Sequence, residues 1–144
     1  AEVIVCGPPT LIPIELIGEL QSRQDQHTRK LRVESRIENA LEGSDAVIVL
    51  RLQQERQQAG LLSSLREYSR LYQVNQANLR LSKPDALVLH PGPMNEGVEI
   101  DPEVAHGSRS VIEEQVTNGV AIRMAILYGI ATPVRERRYV ESRQ

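Results

Sequence analysis

Ala46-Val47-Ile48-Val49-Leu50, followed at once by Arg51-Leu52-Gln53-Gln54-Glu55-Arg56, is the stretch whose reading decides the fold. Five consecutive apolar residues, three of them β-branched, have the length of a strand, and they are apolar on both faces. Such runs belong to parallel sheets covered by helices on both sides. Downstream, Ala86-Leu87-Val88-Leu89 repeats the pattern and stops at His90-Pro91-Gly92-Pro93. Upstream, Val3-Ile4-Val5-Cys6 does the same and stops at Gly7-Pro8-Pro9-Thr10. A weaker strand is read over Leu31–Val33.

Between these runs lie helical stretches. Leu11 to about His27 reads as a helix facing inward through Leu11, Ile14, Leu16, Ile17 and Leu20, with Pro13 in its first turn. Ser35 with Glu38 three residues on reads as a capping box for a short helix that Gly43 ends. Leu61–Tyr72 reads as another helix, Tyr72–Val74 as a possible short strand, and Met94–Gly107 as a loop. Ser110–Ile130 is the longest helix. Its apolar residues cover more than half of its circumference, wider than the stripe of an ordinary surface helix, so it calls for a partner on each side. From 132 to 144 the chain is charged and without an apolar period, and a frayed tail is expected. The alternation βαβα predicts an α/β domain over 1–131, Rossmann-like and three-layered, with a mainly parallel sheet, helices on both of its faces and a long C-terminal helix.

Composition narrows the function classes. The 144 residues carry a net charge of −2, with 25% charged and 40% hydrophobic residues, the profile of a folded domain and not of a disordered one. A chain of this length buries roughly 70% of its unfolded surface, enough for a core. No basic field is present for nucleic acid or an anionic membrane, and no apolar run is long enough to span a bilayer. The single cysteine excludes an internal disulfide and a cysteine-based zinc site. With no Phe and no Trp, the core must be built from Leu, Ile, Val and Ala. The chain opens inside an apolar run without Met, so these residues are expected to be part of a longer protein. Neither a basic n-region nor a long h-region opens it, and a cytoplasmic location is expected.

In parallel sheets, ligands gather beyond the carboxyl ends of the strands. Three strand ends here carry chemistry and are expected on one edge: Gly7–Thr10, Arg51–Gln53 and His90–Pro93. Arg51 can offer a planar two-pronged donor to a carboxylate, Gln53 adds an amide, and Glu55, four residues on, could hold the guanidinium. The alternative is a solvated polar loop. The two prolines after His90 remove N–H groups and leave carbonyls that suit a donating ligand such as an amide NH₂. The alternative is a turn with a structural histidine. Cys6, at the end of a buried strand, reads as packing rather than as a nucleophile. His27 and His106 have no second ligand at metal spacing. Gly7-Pro8-Pro9 lacks the dinucleotide fingerprint, and there is no Walker sequence and no Gly-x-Ser-x-Gly.

Taken together, Cys6-Gly7-Pro8-Pro9-Thr10-Leu11-Ile12-Pro13, Leu50-Arg51-Leu52-Gln53-Gln54-Glu55-Arg56, Lys83-Pro84-Asp85 through His90-Pro91-Gly92-Pro93 to Ile100, and Gln115-Val116-Thr117-Asn118-Gly119-Val120 through Arg123-Met124-Ala125-Ile126-Leu127 resemble the second, aspartate-binding domain of the aspartate carbamoyltransferases. The resemblance covers nearly the whole chain except the tail. It implies that Arg51 and Gln53 bind the carboxylates of L-aspartate. It implies that the backbone of Pro91, Gly92 and Pro93 touches carbamoyl phosphate, and that Glu55 and Arg56 belong to a supporting loop that moves on closure. It further implies a homotrimeric enzyme of pyrimidine biosynthesis, with neither cofactor nor metal, whose last helix packs on its first domain. That domain's Ser-Thr-Arg-Thr motif does not occur in these residues, so the resemblance is to half an enzyme, inactive alone. One departure is Glu96, where many relatives carry Arg, which alters the charge pairing of that loop. The ornithine carbamoyltransferases are a second reading, but they show His-Cys-Leu-Pro where this chain has His90-Pro91-Gly92-Pro93. A third is a non-catalytic module of the same fold that binds a small ligand or regulates.

Overall fold

Val88 has paired strands or segments on both sides and no exposed surface. It lies in strand β4 (Leu87–Leu89), which runs parallel to β3 (Ala46–Ile48) in the register Ala46↔Leu87, Val47↔Val88, Ile48↔Leu89. On its other side Val88 N–H donates to Arg109 O, and Val111 N–H donates to Val88 O. A second parallel pair joins β1 (Val3–Cys6) to β2 (Leu31–Glu34). The computed structural model describes residues 2–13, 15, 18, 31–53 and 64–131. Within it the helices are α1 (Ile37–Leu41), α2 (Leu65–Tyr72), α3 (Gln76–Leu79), α4 (Pro102–Ala105) and α5 (Ile112–Ala131). This is a mixed α/β fold with parallel strands and a long C-terminal helix, the class the alternation of the sequence predicts. Among the described residues the strands form two two-stranded ladders.

The chain divides into two compact units, Ala1–Ile112 and Glu113–Gln144. The core of the first is aliphatic, as the lack of Phe and Trp requires. Ile37 and Leu41 of α1, Leu79 of α3, Val104 of α4, Val49, Val74, Val88, Ile100 and Ile112 form one cluster, with Cys6, Val47 and Met94 packed against it. The strand period of two decides which apolar residues reach it. Val47 and Val49 do, whereas Ile48 and Leu50 are 62% and 66% exposed.

Local chemistry explains several boundaries. Pro13 forces the residue before it toward extended backbone, and Ile12 is extended after a 3-10 turn over Pro9–Leu11. Pro13 therefore does not lie in the first turn of a helix starting at Leu11; Glu15 and Gly18 are helical, and the other residues of that stretch lie outside the described residues. Ser35 is not the cap of α1, because Arg36 occupies that position and makes no side-chain capping bond. Ser64 caps α2, its Oγ accepting from Glu67 N–H at 3.1 Å. Asn75 and Asn78 form a reciprocal capping box on α3. The stretch 94–107 is not all loop. Asp101 accepts from Glu103 N–H, and Pro102 at the first helical position needs no partner for a missing N–H, which together start α4.

Helix α5 runs within a residue or two of the limits its sequence suggests. Its apolar residues go round it, and Val116, Val120, Ile122, Met124, Ile126 and Leu127 are exposed. Among the described residues, the side chain nearest to a Cβ placed at Gly119 is the Arg123 guanidinium, a turn further along the same helix, at 3.7 Å. The charged tail, 132–144, lies outside the described residues.

Leu79→Ala removes a side chain that is 2% exposed and central to the cluster. A loss of about 2–5 kcal/mol is expected for such a truncation, read as a lower midpoint in urea unfolding of the chain.

Candidate functional site

Two irregular segments leave the β3–β4 ladder at the same end. Val49 N–H donates to Leu89 O at 2.9 Å, continuing the ladder one step beyond the named strands. The chain then turns into Arg51-Leu52-Gln53 on one side and His90-Pro91-Gly92-Pro93 on the other. Parallel pairing therefore brings together Arg51 and Gln53 with Pro91, Gly92 and Pro93, as expected from the sequence. Glu55 and Arg56, and with them the pairing expected between Glu55 and Arg51, lie outside the described residues. Gly7–Thr10 follows β1, which belongs to the other ladder.

In the first segment Arg51 is half-buried, Leu52 is buried and Gln53 is exposed. Leu52 thus anchors the segment between two polar side chains. In the second, Gly92 adopts a positive φ of 66°, a conformation open to glycine at little cost, and the Gly92–Pro93 peptide is cis. The prolines contribute no N–H, so the loop offers carbonyl oxygens.

Beneath that loop lies a buried polar pair. His90 is fully buried and Glu99 is 1% exposed, with His90 Nε2 3.3 Å from Glu99 Oε1. Gly92 N–H donates to His90 Nδ1 at 2.9 Å. An accepting Nδ1 places the ring proton on Nε2, facing the carboxylate. The same Oε1 accepts Asn95 N–H at 2.6 Å, and Asn95 Nδ2 donates to Leu52 O at 3.1 Å. Glu99 Oε2 is buried with no hydrogen-bond partner among the described residues.

Of these groups the sequence points to His90 as a strand-end structural histidine, and its burial agrees. Glu99 and Asn95 escape a motif search. The available signal is a carboxylate set between the apolar Val98 and Ile100, since an acid carried inward by apolar neighbours needs a partner. Tyr68 of α2 also escapes it. Its phenol is pushed up to about 12, first by burial and then by the negative charge of Glu99, with smaller contributions from Cys6 and Tyr72. Glu96 faces His106 Nε2 at 3.2 Å on the surface. The loop thus carries an acid–histidine pair at Glu96. Among the described residues no cluster of His, Cys, Asp or Glu could hold a metal ion. No helix there is long and apolar enough to cross a membrane.

The model of the aspartate/ornithine carbamoyltransferase Asp/Orn binding domain matches residues 1–130. The chain belongs to that family. It is 58% identical over 130 residues to the aspartate carbamoyltransferase catalytic subunit of Desulforamulus reducens, and 54% identical over 130 residues to that of Pelotomaculum thermopropionicum. Each match covers 89% of this chain and 38% of the relative, so the chain spans well under half the length of these proteins. Among solved structures, aspartate transcarbamoylase from Trypanosoma cruzi in complex with N-(phosphonacetyl)-L-aspartic acid superposes with a TM-score of 0.71 at 27% identity, over 88% of this chain and 39% of that one. Ornithine carbamoyltransferase from Pyrococcus furiosus superposes equally well, at 0.71, over 89% of this chain and 41% of that one. At 21% identity that likeness speaks for the fold alone.

Cys6 supplies a check on the neighbourhood of β1. Burial, then the charges of Glu34 and Glu38, push its thiol up to about 11. At pH 8 its thiolate fraction is expected to be roughly a hundredfold below that of an unperturbed thiol. Alkylation by iodoacetamide is then slow at pH 8 and accelerates toward pH 11, as measured by mass spectrometry of the intact chain.

Proposed function

We propose that this chain is the aspartate-binding half of an aspartate carbamoyltransferase of de novo pyrimidine biosynthesis. The complete protein transfers the carbamoyl group of carbamoyl phosphate to the amine of L-aspartate. The observation that carries this reading is the placement of Arg51–Gln53 and Pro91–Pro93 at one end of one parallel ladder. The high identity to aspartate carbamoyltransferase catalytic subunits favours aspartate over ornithine as the acceptor.

The chemistry assigned to these groups is positioning. The Arg51 guanidinium grips a carboxylate of aspartate, and the Gln53 amide gives a further hydrogen bond. Carbonyls of Pro91 and its neighbours Gly92 and Pro93 accept from the amide NH₂ of carbamoyl phosphate. The aspartate amine then lies against the carbamoyl carbon, attacks it and expels phosphate. Holding two substrates in register in this way replaces an improbable encounter by an internal step. The groups that stabilise the charge of the departing phosphate belong to the carbamoyl-phosphate domain, whose Ser-Thr-Arg-Thr motif is not among these residues. Glu55 and Arg56 are assigned to the loop that closes over the aspartate. No cofactor or metal enters this scheme. In the full-length protein residues 1–131 form the aspartate domain, 132–144 follow as a charged tail, and the assembly is a cytoplasmic homotrimer.

Two outcomes test this. The 144 residues alone should form no carbamoyl aspartate in a colorimetric ureido assay, and turnover at an enzymatic rate would contradict the division of labour. In the full-length protein, Arg51→Ala should raise the KM for aspartate and lower kcat/KM by about 2–4 kcal/mol, the scale of a lost charge-assisted carboxylate contact. Unchanged aspartate kinetics would place the carboxylate site elsewhere.

A further inference from the structure

The two substrate segments share no ladder beyond Val49 and Leu89, yet their relative position decides whether two bound molecules meet. One side chain spans them. Asn95 lies after the Pro91–Pro93 turn, and its Nδ2 donates to the carbonyl of Leu52 at 3.1 Å, a contact 43 residues apart in sequence. We propose that Asn95 is a positioning residue that sets the aspartate-carboxylate segment against the carbamoyl-phosphate turn, with Glu99 and His90 as its anchor; this rests on the functional reading of both segments given above.

Three features make the bond more than a surface contact. First, its acceptor is the carbonyl of the Leu52–Gln53 peptide. Fixing that plane restrains the Cα atoms of Leu52 and Gln53, and so the point from which the Gln53 side chain leaves, while the Leu52 side chain, buried on the same residue, fixes the backbone next to Arg51. Second, Asn95 is itself held, since its N–H donates to Glu99 Oε1 at 2.6 Å. Third, that oxygen also faces His90 Nε2 at 3.3 Å, and His90 Nδ1 takes the Gly92 N–H at 2.9 Å. An unbroken chain of hydrogen bonds therefore runs from Gly92, inside the turn, to Leu52, between the aspartate ligands. His90 and Glu99 are buried, so water does not compete for their bonds.

The test uses the full-length protein. Asn95→Ala removes the bond to Leu52 but leaves the Asn95 backbone N–H on Glu99. The aspartate KM should rise by about fivefold to tenfold, the worth of one neutral hydrogen bond. The KM for carbamoyl phosphate should stay within about twofold and the melting temperature should barely move. Asn95→Asp separates positioning from packing. It keeps the size of the side chain, but its carboxylate has no donor for Leu52 O and opposes it. At pH 8 its aspartate KM should therefore rise at least as far as that of Asn95→Ala, with the KM for carbamoyl phosphate again within about twofold. An active parent whose Asn95→Ala variant keeps the parental aspartate KM overturns the proposal. So does an Asn95→Asp variant with the parental aspartate KM. A full-length parent that forms no carbamoyl aspartate removes the functional reading itself, and the proposal with it.

Discussion

Because β3 and β4 run in the same direction, whatever follows each of them is delivered to one edge. Everything else in the site depends on that pairing. An antiparallel pair would send Arg51 and His90 to opposite ends of the ladder, and no loop of ordinary length would reunite them. The register is held by burial, since Val88 lies between two bonded neighbours and has no exposed surface. A one-residue slip would turn Val88 out of the core and bring Leu87 or Leu89 in, and the aliphatic cluster would lose its centre.

Parallel pairing brings two chain segments to one place but does not orient them. Beyond Val49 the backbone leaves the ladder, and each segment needs its own support. The molecule supplies it with polar groups placed where water cannot reach. Gly92 rests on His90, His90 faces Glu99, and Glu99 holds Asn95. A carboxylate buried in this way is costly unless its partners are in place. Part of that cost is offset locally, because Oε1 serves two donors, while Oε2 has no hydrogen-bond partner among the described residues. The arrangement also explains why an acid stands between Val98 and Ile100. Removing it would leave the Asn95 N–H and the His90 ring proton without acceptors.

The strands and the fold class were legible in the sequence because they rest on runs of four or five apolar residues. Ala46–Leu50 and Ala86–Leu89 are apolar runs with chemistry at their ends, and the structure brings those ends together. What escaped was short-range competition. Pro13 looked acceptable in the first turn of a helix from Leu11, yet Ile12 before it is extended and that start is not used. Ser35 and Glu38 have capping-box spacing, but Arg36 took the cap. Asp101-Pro102 is a helix start as sound as any in the chain, hidden inside a stretch rich in turn residues. Both faces of Ala46–Leu50 looked fit for burial, and only the face of Val47 and Val49 is in the core. Composition cannot say which face is covered, because that depends on elements far away in sequence.

The polar chain was illegible for a further reason. His90 and Glu99 are nine residues apart, Asn95 and Leu52 forty-three, and no periodicity joins them. Their relation exists only once the ladder has set the two segments side by side. Recognition of the family rests on the opposite kind of information, namely segments such as Arg51-Leu52-Gln53 and His90-Pro91-Gly92-Pro93 that keep their local wording. The residues that touch substrate in this reading are carried by such words, whereas the residues that aim them are carried by the fold. A side chain like Asn95 is therefore found by asking what holds a binding group in place, and in a site that works by positioning that question leads to the residues on which the rate depends.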